Sequence, residues 1–160
     1  MREELLSIIE KNSKISIKEL SVLLGREELD VANEIAKLEN EGVICAYQTL
    51  IDWEKTSIEK VTGLIEVKVA PQREQGFDKI AKRIYNYSEV KSVYLISGGF
   101  DLMVTLEEKT FKDIAIFVTQ KLATLEGVLS TSTHFILKKY KDHGAILDKE
   151  EEDIREVITP

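Results

Sequence analysis

The chain has one cysteine, Cys45, and two histidines, His134 and His143, in 160 residues. A single thiol excludes an internal disulfide framework and any cysteine cluster around a metal, and with only two histidines a structural zinc site is a poor expectation. No run of about eighteen apolar residues occurs, and the opening MREELLSIIEKNSK is amphipathic rather than a signal peptide, so the expected location is the cytoplasm and no membrane partner is expected. Excess positive charge is also missing. The net charge of −7 disfavours nonspecific attraction to nucleic acid or an anionic membrane, so any DNA contact must come from a local surface. At 43% hydrophobic and 32% charged the composition is that of a globular protein, long enough for one domain or two small ones.

Three short helical patterns open the chain. Leu5, Ile8 and Ile9 fall at helical spacing between Arg2 and Lys11. Ser16-Ile17-Lys18-Glu19 reads as a capping box, in which the Ser16 hydroxyl accepts from an amide three residues on while Glu19 reaches back. The helix that follows should bury Ile17, Leu20 and Leu23 and end at Gly25, a residue suited to a left-handed cap. Glu27 to Glu41 places Val31, Ile35 and Leu38 on one stripe, closed by Gly42. Three such helices with a glycine between the second and third make a helix-turn-helix. Val43 to Ile51 then reads as a wing or tether strand and the polar stretch to Lys60 as a linker.

Beyond this point the pattern changes. Gly63 to Val69 alternates as a strand stopping at Pro71. Gly76 to Tyr87 carries Phe77, Ile80, Ala81 and Ile84 on a helical face. Val90 to Glu107 reads as two strands joined by Ser97-Gly98-Gly99, with Leu102, Val104 and Leu106 on one face and Asp101, Met103 and Thr105 on the other. Thr110 with Asp113 gives another capping-box pattern ahead of a helix with Phe111, Ile114, Ala115, Val118 and Leu122. Gly127 turns the chain into a last strand, Val128 to Lys139. The order β-α-β-β-α-β is the ferredoxin-like split βαβ plan: an antiparallel sheet with both helices on one face. The fold class is therefore α+β, a winged helix-turn-helix at 1–50, a linker at 51–61, a ferredoxin-like βαββαβ domain at 62–141 and an acidic tail at 142–160. In the tail Ile146, Leu147, Ile154, Val157 and Ile158 suit a short helix or a frayed end. On the sheet face away from the helices, Tyr94, Ile96, Met103 and Ile136 leave apolar area that implies a second copy packed sheet to sheet.

Asp101, two residues past the Gly-Gly pair, either shapes the turn or, beside free amides, holds a small zwitterion. The stretch Ile35-Ala36-Lys37-Leu38-Glu39-Asn40-Glu41-Gly42-Val43-Ile44, an extended linker and a βαββαβ domain with a Gly99-Phe100-Asp101 turn together resemble the Lrp/AsnC (leucine-responsive, or feast/famine) transcription regulators over roughly Met1 to Lys141. The resemblance implies an N-terminal domain binding double-stranded DNA, a C-terminal domain that dimerises through its sheet and assembles into tetramers or octamers, and an amino-acid effector held between dimers. It places the effector on the backbone at Gly98 and Gly99, the Asp101 carboxylate and the hydroxyls of Thr131 and Thr133, where Ser130-Thr131-Ser132-Thr133 is similar to the family's Thr-x-Thr. An ammonium needs an acceptor and a carboxylate needs donors, and these groups supply both. Alternating hydroxyls are also ordinary in any strand.

The sequence departs from this family in its third helix. Arg26 to Glu41 has two bases, Arg26 and Lys37, against six acids, Glu27, Glu28, Asp30, Glu34, Glu39 and Glu41. Three explanations stand. DNA contacts come from Lys14, Lys18, Arg26, Asn33 and Lys37, with the acids turned away and Asn33 reading adenine; or a high oligomer binds by avidity; or the chain is a sensing or partner subunit that has lost DNA. Some relatives with this two-domain plan are sirohaem decarboxylases, which use histidine and arginine clusters. No basic constellation accompanies His134 or His143 here, no nucleophile-base or phosphate-loop pattern appears, and no catalytic residue, metal or cofactor is assigned.

Overall fold

The computed structural model describes residues 2–70 and 76–148. The chain divides into two compact units, Met1–Leu50 and Ile51–Pro160.

In the first unit α1 spans Arg2–Lys11, α2 Ile17–Leu24 and α3 Glu28–Asn40. Local chemistry sets these boundaries. The Ser16 hydroxyl accepts from the amide of Glu19 at 3.2 Å, and the Glu19 carboxylate accepts from the amide of Ser16 at 2.9 Å, completing the box. Gly25 ends α2 at φ 60°, which only glycine adopts at little cost. At the end of α3, Gly42 stands at φ 70°, with Val43 donating to Leu38 and Gly42 to Glu39, a Schellman motif. Leu5, Ile9, Leu20, Val31 and Leu38 form the core, flanked by Ile8, Leu24, Ile35 and Ile44. Ile17 and Leu23, expected inside, are 42% and 60% exposed. A helix of two turns has room for one buried stripe, and Leu20 with Leu24 takes it. The segment from Val43 to Leu50 contains no strand, so the wing or tether strand expected there is irregular backbone.

The second unit begins with a 3₁₀ turn at Trp53–Lys55, capped by the Asp52 carboxylate, within the stretch expected as a linker. Then follow β1 Val61–Val69, α4 Gly76–Tyr85, β2 Val90–Leu95, β3 Leu102–Glu108, α5 Phe111–Phe117 and β4 Val128–Ile136. The four strands are antiparallel in the order β2-β3-β1-β4, the split βαβ arrangement. The Pro71 strand stop and the tail positions Ile154, Val157 and Ile158 lie outside the described residues.

Pairing fixes the two faces. Ile65, Val67, Val69, Leu102, Val104 and Leu106 are buried against Ile80 and Ile84 of α4 and Ile114, Phe117, Val118 and Leu122 of α5 and the turn after it. Burial of each large side chain contributes about 1.5–3 kcal/mol. Gly63 belongs to this face for a steric reason: a Cβ there would stand 3.0 Å from Ile114 Cγ2, so its absence lets α5 approach β1. Phe117 is buried while Phe111 and Ala115 are exposed, against expectation. Ile114 and Phe117, one turn apart, take the buried stripe of α5, and the chain continues into a π-helical turn at Val118–Leu122 that buries Val118 and Leu122.

On the other face, cross-strand pairing aligns Tyr94, Met103, Glu66 and Ser132 in one row, and Ser92, Thr105, Leu64 and His134 in the next. The apolar residues expected there are interleaved with polar ones, including His134 Nε2 at 3.2 Å from Glu66 Oε1. After β4 a small hairpin pairs β5, Lys141–Asp142, with β6, Ala145–Ile146. Its two central residues, His143 and Gly144, have φ of 43° and 83°, the signs a type I′ turn requires. Ile146 therefore lies in a strand, not in the helix or frayed tail expected.

Candidate functional site

The β2–β3 connection is a tight four-residue loop, closed by the Ile96 amide donating to the Asp101 carbonyl at 2.8 Å. Neither Gly98 nor Gly99 takes a left-handed φ, so the glycines are not required by the turn's handedness. What they leave is open backbone. Nothing stands within 4 Å of where a Gly99 Cβ would be, and only Ile96 Cγ2, at 3.8 Å, approaches Gly98. Asp101 is half-buried. Its Oδ2 accepts from the Val69 amide at 2.8 Å, and its own amide donates to the Val67 carbonyl at 3.1 Å. One carboxylate oxygen thus ties the loop to the end of β1.

Thr131 and Thr133 lie on β4 opposite Val67 and Ile65. Directly opposed residues share a face, so both threonines are on the helix-covered side, at the edge strand. Thr131 is level with Leu102, because both pair with Val67, but it stands two strand spacings away, roughly 10 Å. Asp101 precedes Leu102 in the bend before β3, and its carboxylate reaches the Val69 amide at the end of β1. One protomer brings Gly98, Gly99 and Asp101 together in the loop before β3, while Thr131 and Thr133 lie on the edge strand β4. A cleft of about 600 Å³ in this unit lies elsewhere, lined by Trp53, Ile58, Lys60, Lys109 and Phe111 among others.

In the N-terminal unit Lys14, Lys18, Arg26, Asn33 and Lys37 are all exposed. Arg26, Asn33 and Lys37 border one shallow hollow together with Asp30 and Glu34; Lys14 and Lys18 lie at the turn before α2 and in its first turn. Arg2 was not among the expected residues. It hydrogen-bonds Glu41 and stands 3.9 Å from Glu34, so a base on α1 offsets two carboxylates of α3. The guanidinium holds the Glu41 carboxyl below its ordinary range, aided by Lys37. Glu39 accepts from the Tyr47 hydroxyl at 2.8 Å; burial, then this bond, push the phenol upward. Nothing near residue 2 in the sequence marks its pairing with residue 41.

Among the described residues no group of three or more His, Cys, Asp or Glu is placed to hold a metal ion, and no helix is long and apolar enough to cross a membrane.

A helix-turn-helix unit followed by a split βαβ sheet with an open face defines the class of helix-turn-helix transcription regulators that carry a ligand-binding domain. Residues 62–146 match the family model described as the Lrp/AsnC ligand binding domain. The chain is 45% identical to the uncharacterized HTH-type transcriptional regulator YugG of Bacillus subtilis, over 98% of this chain and 95% of that protein. It is 24% identical to the HTH-type transcriptional regulator FL11 of Pyrococcus furiosus, over 88% of this chain and 89% of that one. A crystal structure of a transcriptional regulator–L-Met complex from Neisseria meningitidis shares the fold, with a TM-score of 0.70 at 20% identity, over 88% and 90% of the two chains. The chain belongs to the Lrp/AsnC family of transcription regulators.

Proposed function

We propose that residues 1–50 bind double-stranded DNA through Lys14, Lys18, Arg26, Asn33 and Lys37, and that residues 62–141 bind an amino acid and assemble the protein, with 51–61 as the tether between these roles and 142–160 as a tail. The chain works in the cytoplasm as a dimer formed through the open sheet face, assembled further to a tetramer or octamer, and performs no catalysis.

The ligand site is shared between copies. The observation that carries this is separation along the sheet: Asp101 with the Gly98 and Gly99 backbone lies in the loop before β3, and Thr131 and Thr133 lie on the edge strand β4, with β1 between those two strands. A second copy that presents its threonines to the first copy's turn completes an acceptor for the ammonium and donors for the carboxylate. The L-Met complex of a structural relative is consistent with an amino acid as the class of ligand. A ligand bound across two copies has different affinity for different assemblies, and that difference shifts the assembly and the spacing of the paired DNA-binding units.

Mixed oligomers test this. Asp101→Asn and Thr131→Val subunits should each lose the amino-acid-dependent change in assembly size, read by sedimentation with a pooled set of amino acids, and a mixture of the two should recover part of it. A mixture as silent as its components would remove the shared site. A second reading, a sensing subunit without DNA, is favoured by the exposed Glu27, Glu28 and Asp30 at the start of α3; absence of DNA binding at low salt would establish it.

A further inference from the structure

An acidic helix that enters an anionic groove needs a surface free of its own acids. At 100° per residue, Leu29, Asn33, Ala36 and Asn40 of α3 fall within about 60° of one another. They lie opposite the buried Val31 and Leu38, and all four are exposed. No member of this stripe is charged. The carboxylates of α3 fall about 90° or more from its centre by the same geometry. Glu34 and Glu41 turn to Arg2, Glu39 accepts from Tyr47, and Lys37 flanks the stripe on the Arg2 side.

Leu29 is the large apolar residue of α3 that stands outside the core. It is 71% exposed, stands one turn before Asn33, and is separated from it by about 6 Å along the axis, close to two base-pair steps. The thymine methyl is the apolar group that base edges offer in the major groove, and adenine offers the N6/N7 pair that an asparagine amide matches. We propose that this neutral stripe is the base-reading surface of α3, with Asn33 taking an adenine and Leu29 packing on the methyl of a thymine within two base steps of it. Leu29 is then a specificity-determining residue, and the acids stand on the flanks, outside the read bases. This rests on the DNA-binding reading above and adds the composition of the half-site to it.

The test is selection of the full-length protein on a random duplex pool, followed by replacement of each thymine in the enriched half-site by deoxyuridine, which removes only the methyl. Wild type should lose about fourfold in affinity at one position, and Leu29→Ala, whose melting should match wild type because the side chain is exposed, should be indifferent to that replacement. Asn33→Ala should relax the adenine preference within two steps of it, by about tenfold. Equal binding of every uracil duplex by wild type, an enriched half-site without thymine, or the same drop in Leu29→Ala overturns the inference while leaving DNA binding standing. Enrichment of no sequence overturns the DNA-binding reading and this inference with it.

Discussion

The Asp101 carboxylate accepts the Val69 amide at 2.8 Å, which makes the last residue of β1 and the residue before β3 one rigid piece. The Asp101 amide donates to Val67 as well, so the loop is held by backbone and side chain together. Shaping the turn and binding a ligand are therefore compatible: Oδ2 fixes the carboxylate at the end of β1, in a loop whose glycine backbone is open.

Two substitutions separate these roles. Asp101→Ala leaves the Val69 amide without its acceptor and should cost about 1–3 kcal/mol in urea unfolding, whereas Asp101→Asn keeps an acceptor and should cost less. Both should abolish the amino-acid-dependent rise in melting temperature, because a neutral amide is a weaker partner for an ammonium. An Asn variant that keeps the full ligand response would limit Asp101 to its structural bond.

Lys37 is well exposed and only 4.0 Å from Glu41 at its nearest approach. Lys37→Glu should weaken binding to all duplex sequences alike and lower the salt slope by about one, as loss of a phosphate contact does. Arg2→Gln should also weaken binding without changing sequence preference, since it releases two carboxylates beside α3. Unchanged affinity in Lys37→Glu would take that residue off the contact surface.

Acid should loosen the N-terminal unit first at its caps and clamp. The Ser16 amide, then its hydroxyl, hold Glu19 below the ordinary carboxylate range, and the Arg2 hydrogen bond does the same to Glu41. A depressed carboxyl contributes stability that is present above its unfolded pKa, about 4.3, and lost as pH falls through the lower folded value. Amide exchange in α1–α3 should therefore be steady from pH 7 to about 5, once corrected for intrinsic rates, and show falling protection below about 4.5. Glu19→Gln and Glu41→Gln should flatten that fall. An identical profile in both variants would show that these carboxyls do not set it.

What could be read in the sequence was what local chemistry determines. The Ser16–Glu19 box, the Gly25 and Gly42 ends and the order of the sheet elements follow from contacts within a few residues or from period-two alternation. The π turn after α5 was hidden because a stripe drawn at 3.6 residues per turn assumes one helical pitch, and the chain changes pitch at Val118. The β5–β6 hairpin had a signal, a polar residue followed by glycine at His143-Gly144, which the acidic run beyond it obscured. Two relationships had none: Arg2 with Glu41 and Asp101 with Val69 join residues far apart in the chain. The effector residues were legible as a set of chemistries, but their places in the strand order β2-β3-β1-β4 appear only once strand pairing is fixed.

Fluorescence anisotropy of the full-length protein titrated into duplex from its own upstream region, at low and moderate salt, with and without pooled amino acids, tests the central claim most directly. The account predicts specific binding that weakens with salt and shifts with the amino-acid pool. Folded, oligomeric protein that does not bind at low salt, or that binds identically with and without the pool, would contradict it.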